Sequence, residues 1–443
     1  MHIVVIGAGE VGSNIAADLS ESHDIVVVDL DPDRVESLTY SEDVLAIEGD
    51  GTSLSVLEEA GLDEADIVIA CTDDDETNLV ACSAAKVGYD PFTIARVRNT
   101  SFLETWHRGV RVFNVDFMVC TNLLTAESIV RMAGLPAARD VDTFADGIVQ
   151  MAEFEVAPES PIATQRVSEA DRYEALTFAG LIHEDEVIIP SGDTVIEGGA
   201  RLVVIGTPES LHEFAGEVAP QAHRTKEVVI IGGDAIGEET ARLFQERGLK
   251  PRLIEQDEAR TQTLAERLSD TVVMCHDATD VEFLLREHVD KADLVVVSLD
   301  SDERTLLASL LATQIGSGRT VAVVATGEYV KLFEAVGIDV AINPREVTAE
   351  EITRFTREQH TENVALIESD QAEVIEVEVT PDSPLAGRPI KDAVEELPAP
   401  VVIGAITRAG AFVTPRGETV VEAGDHVVVL VSTADVDSVL DAI

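Results

Sequence analysis

The feature that most constrains the fold is an internal duplication that spans the chain. Segments of the first half recur in the second half at a nearly constant offset of 225 to 227 residues. The matching pairs are Ile3–Gly7 with Val228–Gly232, Ile25–Asp29 with Arg252–Glu255, Gly49–Thr52 with His276–Thr279, Ala65–Ile69 with Ala292–Val296, and Pro190–Thr194 with Pro415–Thr419. A constant offset over five landmarks means that one structural unit is built twice.

Each copy of this unit divides into two parts with different patterns. Residues 1–135 alternate short apolar runs with helical segments, which predicts an α/β fold with a doubly wound parallel sheet. The predicted strands are Ile3–Ile6, Ile25–Val28, Val44–Ile47, Ile67–Ala70, Thr93–Val97 and Arg111–Asn114. Residues 140–222 carry strand-like runs separated by Gly and Pro turns, which predicts a small, β-rich α+β domain. The second copy repeats this layout at 226–350 and 361–443, after a linker at Gln221–Lys226.

The formal net charge of −53 excludes several classes of partner. Only six of the basic residues are lysines, and the acidic residues are spread along the chain instead of forming a tail. Self-repulsion of this size is tolerable where salt shortens the screening length to about 3 Å, so we interpret the acidity as a halophilic adaptation. Nucleic acid and anionic lipid are not expected partners, because both are bound through basic patches.

The hydropathy pattern predicts a cytoplasmic protein with no direct membrane insertion. No apolar run reaches the roughly 18–20 residues that a membrane span needs. The chain runs from Met1 directly into a strand, without the basic region and cleavage site of a signal peptide. The four cysteines form no C-x-x-C pair, and we predict no metal site.

A glycine motif at the start of the first copy predicts a dinucleotide site. The motif comprises Gly7, Ala8, Gly9, Glu10, Val11 and Gly12. Gly7 permits a tight turn, Gly9 lets the backbone approach a pyrophosphate, and Gly12 lets the following helix pack on the sheet. Asp29 ends the second strand, where it can accept hydrogen bonds from ribose hydroxyls and would repel a 2′-phosphate. The predicted ligand is therefore NAD- or ATP-type, not NADP, and Glu10, placed where a third phosphate would approach, favours NAD or NADH over ATP.

Further polar residues follow the predicted strands of the first copy, at the edge where open α/β sheets bind ligands. They are Asp50 and Thr52 after the third strand, Thr72, Asp74 and Asn78 after the fourth, and Arg96 and Arg98 at the end of the fifth. The first five would form the rim of the crevice, or would serve only as turn and cap residues. The two arginines would bind phosphate, or would pair with local carboxylates. The acidic run Asp73–Glu76 could hold a divalent cation, but we interpret it as a solvated loop.

Two changes predict that the second copy has an impaired site. The middle glycine of its motif is replaced by Asp234, whose carboxylate would crowd and repel a pyrophosphate. The arginines of the fifth strand are replaced by the apolar stretch Val321–Ala325, although Glu255 retains the ribose-type acid. We therefore expect weak or no dinucleotide binding there, and at most a ligand that lacks a diphosphate. The alternative is that a shifted loop or a screening ion makes Asp234 tolerable.

Two Rossmann-like domains, each followed by a small β-rich domain, resemble the TrkA family. These are the double RCK-type (regulator of potassium conductance) subunits of Trk potassium uptake systems. The resemblance is carried by Gly7–Gly12 with Asp29, Gly49–Thr52, Thr72–Asn78, Ile94–Arg98, Ile338–Pro344, Pro190–Thr194 and Pro415–Thr419. The first copy departs from the family pattern because Phe117–Asn122 lacks the usual proline. The helix that follows, Leu123–Arg131, often mediates dimerisation in the family.

The resemblance implies RCK_N Rossmann domains at 1–135 and 226–350, and RCK_C domains at 140–222 and 361–443. It implies NAD(H) as the ligand of the Rossmann domains, with ATP or ADP as alternatives. It also implies a homo-oligomer, a dimer or a tetrameric ring, that docks beneath a TrkH-type potassium channel subunit at the inner face of the cell membrane. The function expected from it is nucleotide-sensing regulation of potassium uptake, without catalysis.

Two other functions stay open from the residues. An NAD-dependent oxidoreductase would need an acid–base group near the nicotinamide. His183 and His212 have no counterparts in the second copy, and the chain carries no nucleophile motif, so we expect no catalytic residues. The other alternative is an RCK-type regulator of a different transporter.

Overall fold

Runs of Val and Ile at the predicted strand positions form the buried strands of the first domain. The computed structural model describes residues 1–20, 23–41, 44–109, 112–135, 138–183, 186–218, 225–357, 363–367, 371–440 and 442–443. The first domain contains β1 (His2–Ile6), α1 (Glu10–Ser20), β2 (Asp24–Asp29), α2 (Pro32–Ser41), β3 (Leu45–Glu48), α3 (Leu54–Glu59), β4 (Ile67–Ala70), α4 (Asp75–Ala85), β5 (Phe92–Val97), α5 (Thr100–Arg108), β6 (Phe117–Cys120) and α6 (Thr121–Gly134).

These six strands form one parallel sheet in the order β3-β2-β1-β4-β5-β6. The order reverses between β1 and β4, so the loops after these strands border the crevice where such sheets bind ligands. All four residues of β4 are buried, as the uninterrupted apolar run predicts for a strand covered on both faces. The predicted Rossmann-like architecture is confirmed for this domain.

One predicted strand of the first domain is wrong. Within Arg111–Asn114, residues Val112–Asn114 form a short 3₁₀ turn, and Arg111 lies outside the described residues. Phe113 and Asn114 have φ values of 67° and 53°, in the left-handed region that a strand cannot contain. The sixth strand is instead β6 (Phe117–Cys120), which begins three residues after the end of the predicted strand.

The first small domain is an antiparallel sheet with helices. It contains β7 (Ala138–Phe144), β8 (Val149–Glu155), α7 (Val167–Ala170), β9 (Leu176–His183), β10 (Glu186–Ile188), β11 (Arg201–Gly206) and α8 (Pro208–Val218). The sheet order is β10-β9-β11-β8-β7, and its core includes Phe154 packed edge-to-face on Phe214. Strand β7 begins at Ala138, ahead of the predicted start of the small domain at residue 140.

The second copy repeats both architectures. Its Rossmann-like domain contains β12 (Val228–Ile231), α9 (Ala235–Glu246), β13 (Arg252–Glu255), α10 (Glu258–Arg267), β14 (Val272–Cys275), α11 (Val281–Arg286), β15 (Leu294–Val297), α12 (Asp302–Ile315), β16 (Arg319–Val323), α13 (Val330–Ala335), β17 (Val340–Ile342) and α14 (Pro344–Arg357). Its small domain contains β18 (Asn363–Ile367), β19 (Ala372–Glu378), β20 (Arg388–Pro389), α15 (Ile390–Ala393), β21 (Val401–Arg408), β22 (Ala411–Val413), β23 (Val420–Val421), β24 (His426–Ser432) and α16 (Val436–Leu440).

The sheet orders of the second copy match those of the first. The parallel sheet runs β14-β13-β12-β15-β16-β17, and the antiparallel sheet runs β18-β19-β24-β21-β22, with β20 and β23 paired separately. The duplication inferred from the sequence is therefore also a duplication of fold. Gln221–Arg224, most of the predicted linker, and Thr361, the predicted start of the last domain, lie outside the described residues.

The chain forms two compact units, and each unit contains two domains of the same kind. One unit comprises Met1–Val130 and Lys226–Thr353, the two Rossmann-like domains, and the other comprises Arg131–Thr225 and Arg354–Ile443, the two small domains. In the first unit the Thr348 hydroxyl lies 3.0 Å from the Thr121 hydroxyl of the other domain. In the second unit Met151 and Ile205 share an apolar core with Leu430. No helix in the described ranges has the length and apolar character needed to cross a membrane.

Candidate functional site

Two glycines of the first motif are required by the backbone geometry itself. Gly7 has a φ of +109°, and a Cβ there would stand 3.1 Å from the Thr72 nitrogen. A Cβ on Gly12 would stand 1.8 Å from the carbonyl oxygen of Gly7, because α1 passes directly over the turn. No side chain fits at either position without moving the strand–helix turn, so both glycines serve the fold whether or not a ligand binds.

Gly9, between them, is not required by the fold. Its φ lies outside the left-handed region. Among the described residues other than its chain neighbours, only Nη1 of Arg34 lies within 4 Å of a Cβ built there, at 3.5 Å. The space in front of this backbone segment is therefore open at the N-terminus of α1, where unpaired N–H groups favour an anion. A side chain would fill this space, so the glycine fits a pyrophosphate group of a dinucleotide.

Asp29 lies at the end of β2 beside this opening. Its carboxylate accepts hydrogen bonds from the Ala8 nitrogen at 2.6 Å and from the Asp31 nitrogen at 2.8 Å. These bonds join the glycine loop to the β2 end, and the carboxylate oxygens have further lone pairs that ribose hydroxyls can use. The side chains of Ala8 and Val11 are buried, so these two residues present only backbone atoms to a ligand.

The turn after β3 brings Asp50 and Thr52 close to the glycine loop. Gly51 packs against Ile6 at the end of β1. The Thr52 nitrogen and hydroxyl both donate to Oδ1 of Asp50, at 2.9 and 2.7 Å, and these two bonds hold the pKa of Asp50 below its usual value. Asp50 is therefore an exposed carboxylate in a turn that the Thr52 bonds stabilise.

The residues that follow β4 differ in burial, and this determines which of them can contact a ligand. Asn78 is fully buried, and its side-chain oxygen accepts from both the nitrogen and the hydroxyl of Thr72, at 2.9 and 2.7 Å. Its nitrogen donates to the carbonyls of Thr72 and Arg96. Asp74 caps α4 by accepting the Thr77 nitrogen at 2.8 Å. Thr72 lies against Gly7, whereas Asn78 fixes Thr72 from behind, so Asn78 can act on a ligand only through Thr72.

The two arginines of β5 differ in what they can reach. Arg96 is 3% exposed, and it donates to the Asp73 carboxylate at 3.1 Å. Its other hydrogen bonds go to the Thr121 hydroxyl and to the carbonyls of Cys71 and Thr72. Burial by itself raises the pKa of Asp73, but the charges of Arg96 and Arg345 outweigh burial and lower it. Arg98 is half exposed and donates to the Asp73 carbonyl. Pairing with local carboxylates, the alternative considered from the sequence, is thus present at Arg96 and also at Arg98, whose Nε lies 3.9 Å from Oδ1 of Asp75.

Two residues near the motif were not identified from the sequence as part of the site. Arg34, on α2, is half exposed and is the side chain nearest the open face of Gly9. Its position five residues after the ribose-type acid is the sequence signal that could have identified it. Arg345, on α14 of the second Rossmann-like domain, reaches the first site from 335 positions away, and no local pattern predicts that contact.

Glu10 connects the first glycine motif to the second Rossmann-like domain. Its Oε1 accepts the Gly327 nitrogen at 3.2 Å and the Asn343 side-chain nitrogen at 2.9 Å, and its Oε2 accepts Nη1 of Arg345 at 3.0 Å. Arg345 also lies 3.8 Å from Asp73. Glu10 is therefore held by three groups of the other domain, directly beside the opening at Gly9.

The second motif keeps the structural glycines and fills the open position. Gly232 has the same φ of +109° as Gly7, and a Cβ on Gly237 would stand 2.1 Å from the Gly232 carbonyl oxygen. Asp234 accepts the Gly237 nitrogen at 2.8 Å and the Ser298 hydroxyl at 2.8 Å. Its carboxylate thus caps α9 at the place where a phosphate would bind, and burial raises its pKa.

No group of three or more His, Cys, Asp or Glu residues suited to a metal ion occurs in the part of the chain that the structure describes. In the acidic run Asp73–Glu76, Asp73 pairs with Arg96, Asp74 caps α4, and Asp75 accepts the Arg98 and Asn99 nitrogens. These carboxylates are thus occupied by protein groups.

Comparison with known proteins matches both repeats to the same domain families. The TrkA-N domain matches residues 3–117 and 228–344, and the TrkA-C domain matches residues 151–218 and 374–443. The Trk system potassium uptake protein TrkA homolog 1 of Methanosarcina mazei is 35% identical over 438 residues, covering 97% of each chain. The TrkA homolog of Archaeoglobus fulgidus is 35% identical over 439 residues, covering 99% of each.

Solved structures with the same fold include a channel protein, GsuK. The GsuK channel has a TM-score of 0.63 at 22% identity, covering 99% of this chain and 78% of that one. The GsuK channel bound to NAD has a TM-score of 0.61 at 21% identity, covering 100% and 79%. At these identities the likeness establishes the fold, with two repeats of a Rossmann-like and a small domain.

Proposed function

This chain belongs to the TrkA family, and we propose from that membership that it is the nucleotide-sensing regulatory subunit of a potassium uptake system. Its full-length relatives are named as Trk system potassium uptake proteins. It acts in the cytoplasm, at the inner face of the membrane, as a homo-oligomeric ring that binds a TrkH-type channel subunit. The membrane subunit conducts potassium, and this chain adjusts its opening to the nucleotide state of the cell.

The observation that carries the proposal is the open position at Gly9. A glycine that neither φ nor crowding requires is explained by a ligand that must approach the backbone there. With Asp29 beside it, the ligand is a ribonucleotide that carries a diphosphate, and NAD(H) fits best. The NAD-bound form of the GsuK channel, a protein of the same fold, is consistent with this choice.

We assign roles to the remaining predicted residues within this site. Asp29 binds ribose hydroxyls, and the backbone of Gly7–Gly12 binds the diphosphate. Asp50, Thr52, Thr72, Asp74 and Arg98 form the rim. Asn78 and Arg96, which are buried, act by holding Thr72 and the Asp73 loop in place.

Glu10 supplies a route from the ligand to the second Rossmann-like domain. It is the next residue after Gly9, and its carboxylate is bound by Gly327, Asn343 and Arg345 of that domain. A diphosphate placed beside Glu10 changes the electrostatic environment of this cluster. Nucleotide occupancy therefore shifts the equilibrium between two arrangements of the domain pair by its difference in affinity for them.

The second Rossmann-like domain is proposed to have lost the diphosphate site. Asp234 places a carboxylate on the helix N-terminus that the diphosphate would need, and two negative groups cannot share one such site. The chain therefore binds one dinucleotide, in the first repeat. We propose sensing in place of catalysis because the full-length relatives are named for potassium uptake.

Calorimetric titration of NADH in molar potassium chloride tests this proposal directly. Wild type is expected to bind about one NADH per chain, and Gly9→Asp, which copies Asp234 into the first repeat, is expected to bind none while keeping its thermal stability. Two NADH per chain, or unchanged binding by Gly9→Asp, would contradict the assignment. A flux assay with the TrkH-type subunit follows, in which NADH must alter potassium flux with wild type but not with Gly9→Asp. Steady NADH consumption would instead indicate an oxidoreductase.

A further inference from the structure

A cavity in the second repeat lies where the first repeat has its proposed dinucleotide site. It has a volume of about 310 Å³ and lies at the carboxyl ends of β12, β13 and β15. Its lining includes Gly233, Asp234, Glu255, His276, Ser298 and Leu299. Small-molecule sites typically span roughly 300–1,000 Å³, so this cavity matches the small end of that range and would hold a nucleoside more readily than a dinucleotide.

The ribose-binding half of the site is retained in this cavity. Glu255 accepts hydrogen bonds from the Gly233 and Asp257 nitrogens, both at 2.8 Å. The equivalent nitrogens of the first repeat, those of Ala8 and Asp31, donate to Asp29. Because the acid has the same anchoring in both repeats, Glu255 presents its free lone pairs to the cavity as Asp29 does. Ala278 and Leu299 line the same cavity and supply apolar surface for a base.

The phosphate-binding half has been replaced by protein groups. Asp234 occupies the helix N-terminus through Gly237 and is fixed from the far side by the Ser298 hydroxyl. Arg260, the counterpart of Arg34, donates to the Gly233 carbonyl at 2.6 Å and to Glu238 at 2.7 Å. The carboxylate therefore stands where the 5′ substituent of a nucleoside would lie. The two arginines that line the cavity, Arg260 and Arg304, are paired with Glu238 and Asp300.

From this juxtaposition we propose that the second repeat binds a ribonucleoside whose 5′ carbon carries no phosphate. Glu255 binds the ribose hydroxyls, and Asp234 selects at the 5′ position, accepting a hydrogen bond from a hydroxyl and attracting a cationic group while it repels a phosphate. The inference deepens the proposed loss of the diphosphate site, since it names the ligand that the altered site accepts.

A series of adenosine derivatives that differ in charge at the 5′ carbon tests the inference. The probes are 5′-amino-5′-deoxyadenosine, adenosine, AMP and ADP, titrated by calorimetry in molar potassium chloride into the double variant Gly9→Asp/Asp29→Ala, in which the first site lacks both the open diphosphate position and the ribose-binding acid. We expect affinity to fall along that series, with AMP at least tenfold weaker than adenosine and no binding of ADP. If this double variant fails to fold, wild type saturated with NADH serves as the receptor for the same series.

Asp234→Gly in the same background reverses the expected preference. ADP should then bind at least tenfold more tightly than adenosine, and the advantage of the 5′-amine should disappear. Glu258→Gln is the matched control, because it removes one exposed carboxylate near the cavity without changing the loop, and it should keep the original order. AMP or ADP binding as tightly as adenosine before Asp234 is changed, or no nucleoside binding at all, would overturn the inference.

The outcome separates this inference from the proposed function. NADH binding to wild type reports on the first site alone, and the adenosine series reports on the second. Loss of the first with retention of the second would overturn the sensor proposal and keep the nucleoside site. The converse would keep the sensor and remove the nucleoside site.

Discussion

The two glycine motifs of this chain allow a comparison, within one molecule, of the turn that we propose binds a dinucleotide with its altered duplicate. The first and third glycines are retained in both copies, as Gly7 and Gly12 and as Gly232 and Gly237, and the backbone requires each of them. The middle position differs, with Gly9 in the first copy and Asp234 in the second. The position that has changed is the one that only a ligand needs.

This difference distinguishes two reasons why a glycine motif contains glycine. Some of its glycines are required by the backbone, and others are required only by a ligand. A positive φ or a Cβ placed within 2–3 Å of backbone makes glycine necessary for the strand–helix turn itself. Where no protein atom lies close to the Cβ position, glycine is necessary only if a ligand must occupy that space. Asp234 shows what fills it in the second repeat, because its carboxylate takes the place of a bound anion at the N-terminus of α9.

The largest effect is expected where the comparison predicts a structural glycine. Gly12→Ala and Gly237→Ala should each lower the free energy of unfolding by roughly 3 kcal/mol or more, because the new Cβ meets a carbonyl oxygen in a tightly packed turn. Gly9→Ala should change it by less than about 1 kcal/mol, since the position is open. Urea unfolding in molar potassium chloride measures all three. A Gly9→Ala variant as unstable as Gly12→Ala would show that the fold needs all three glycines.

An intermediate effect is expected from the matched arginines of the two motifs. Arg34→Gln should weaken NADH binding about tenfold, as expected for a lost charge-assisted bond to phosphate, and should hardly affect stability. Arg260→Gln should leave NADH binding unchanged but lower the free energy of unfolding by about 1–2 kcal/mol, because Arg260 bonds the Gly233 carbonyl and Glu238. Titration and unfolding of both variants measure this. Equal effects of the two substitutions on NADH binding would mean that Arg34 does not contact the ligand.

Features that depend on local or periodic sequence patterns were predictable, whereas features that depend on contacts between distant residues were not. Strand–helix alternation and a constant repeat offset are local or periodic signals, so the two folds were predicted correctly from them. The assignment of the first glycine motif and Asp29 to a ligand site stays a prediction. The strand proposed at Arg111–Asn114 failed because Phe113 and Asn114 adopt left-handed φ values that no propensity indicates. Contacts between the repeats, such as Arg345 with Glu10, depend on how the two domains associate, and no pattern within one repeat encodes that.

The burial of individual polar residues could not be predicted from the sequence either. Thr72, Asn78 and Arg96 all follow strands of one sheet, and the strand-end rule gives them equal status as ligand contacts. In the structure Asn78 and Arg96 face inward and only Thr72 borders the glycine loop. Their roles therefore separate into contact and support only once the loop geometry is known.

The smallest effect is expected at Glu10, which has no acidic counterpart because Ala235 occupies the matching position of the second repeat. Glu10→Gln removes the charge pair with the partly exposed Arg345, so the free energy of unfolding should fall by only about 0.5–1 kcal/mol. The same change should raise the affinity for ATP relative to NADH severalfold, since a third phosphate no longer meets a carboxylate. Competition titrations of ATP against NADH measure the ratio, with Glu36→Gln on the exposed face of α2 as the charge-matched control. Wild type that binds ATP as tightly as NADH, or a ratio that Glu10→Gln leaves unchanged, would show that Glu10 serves only to join the two domains.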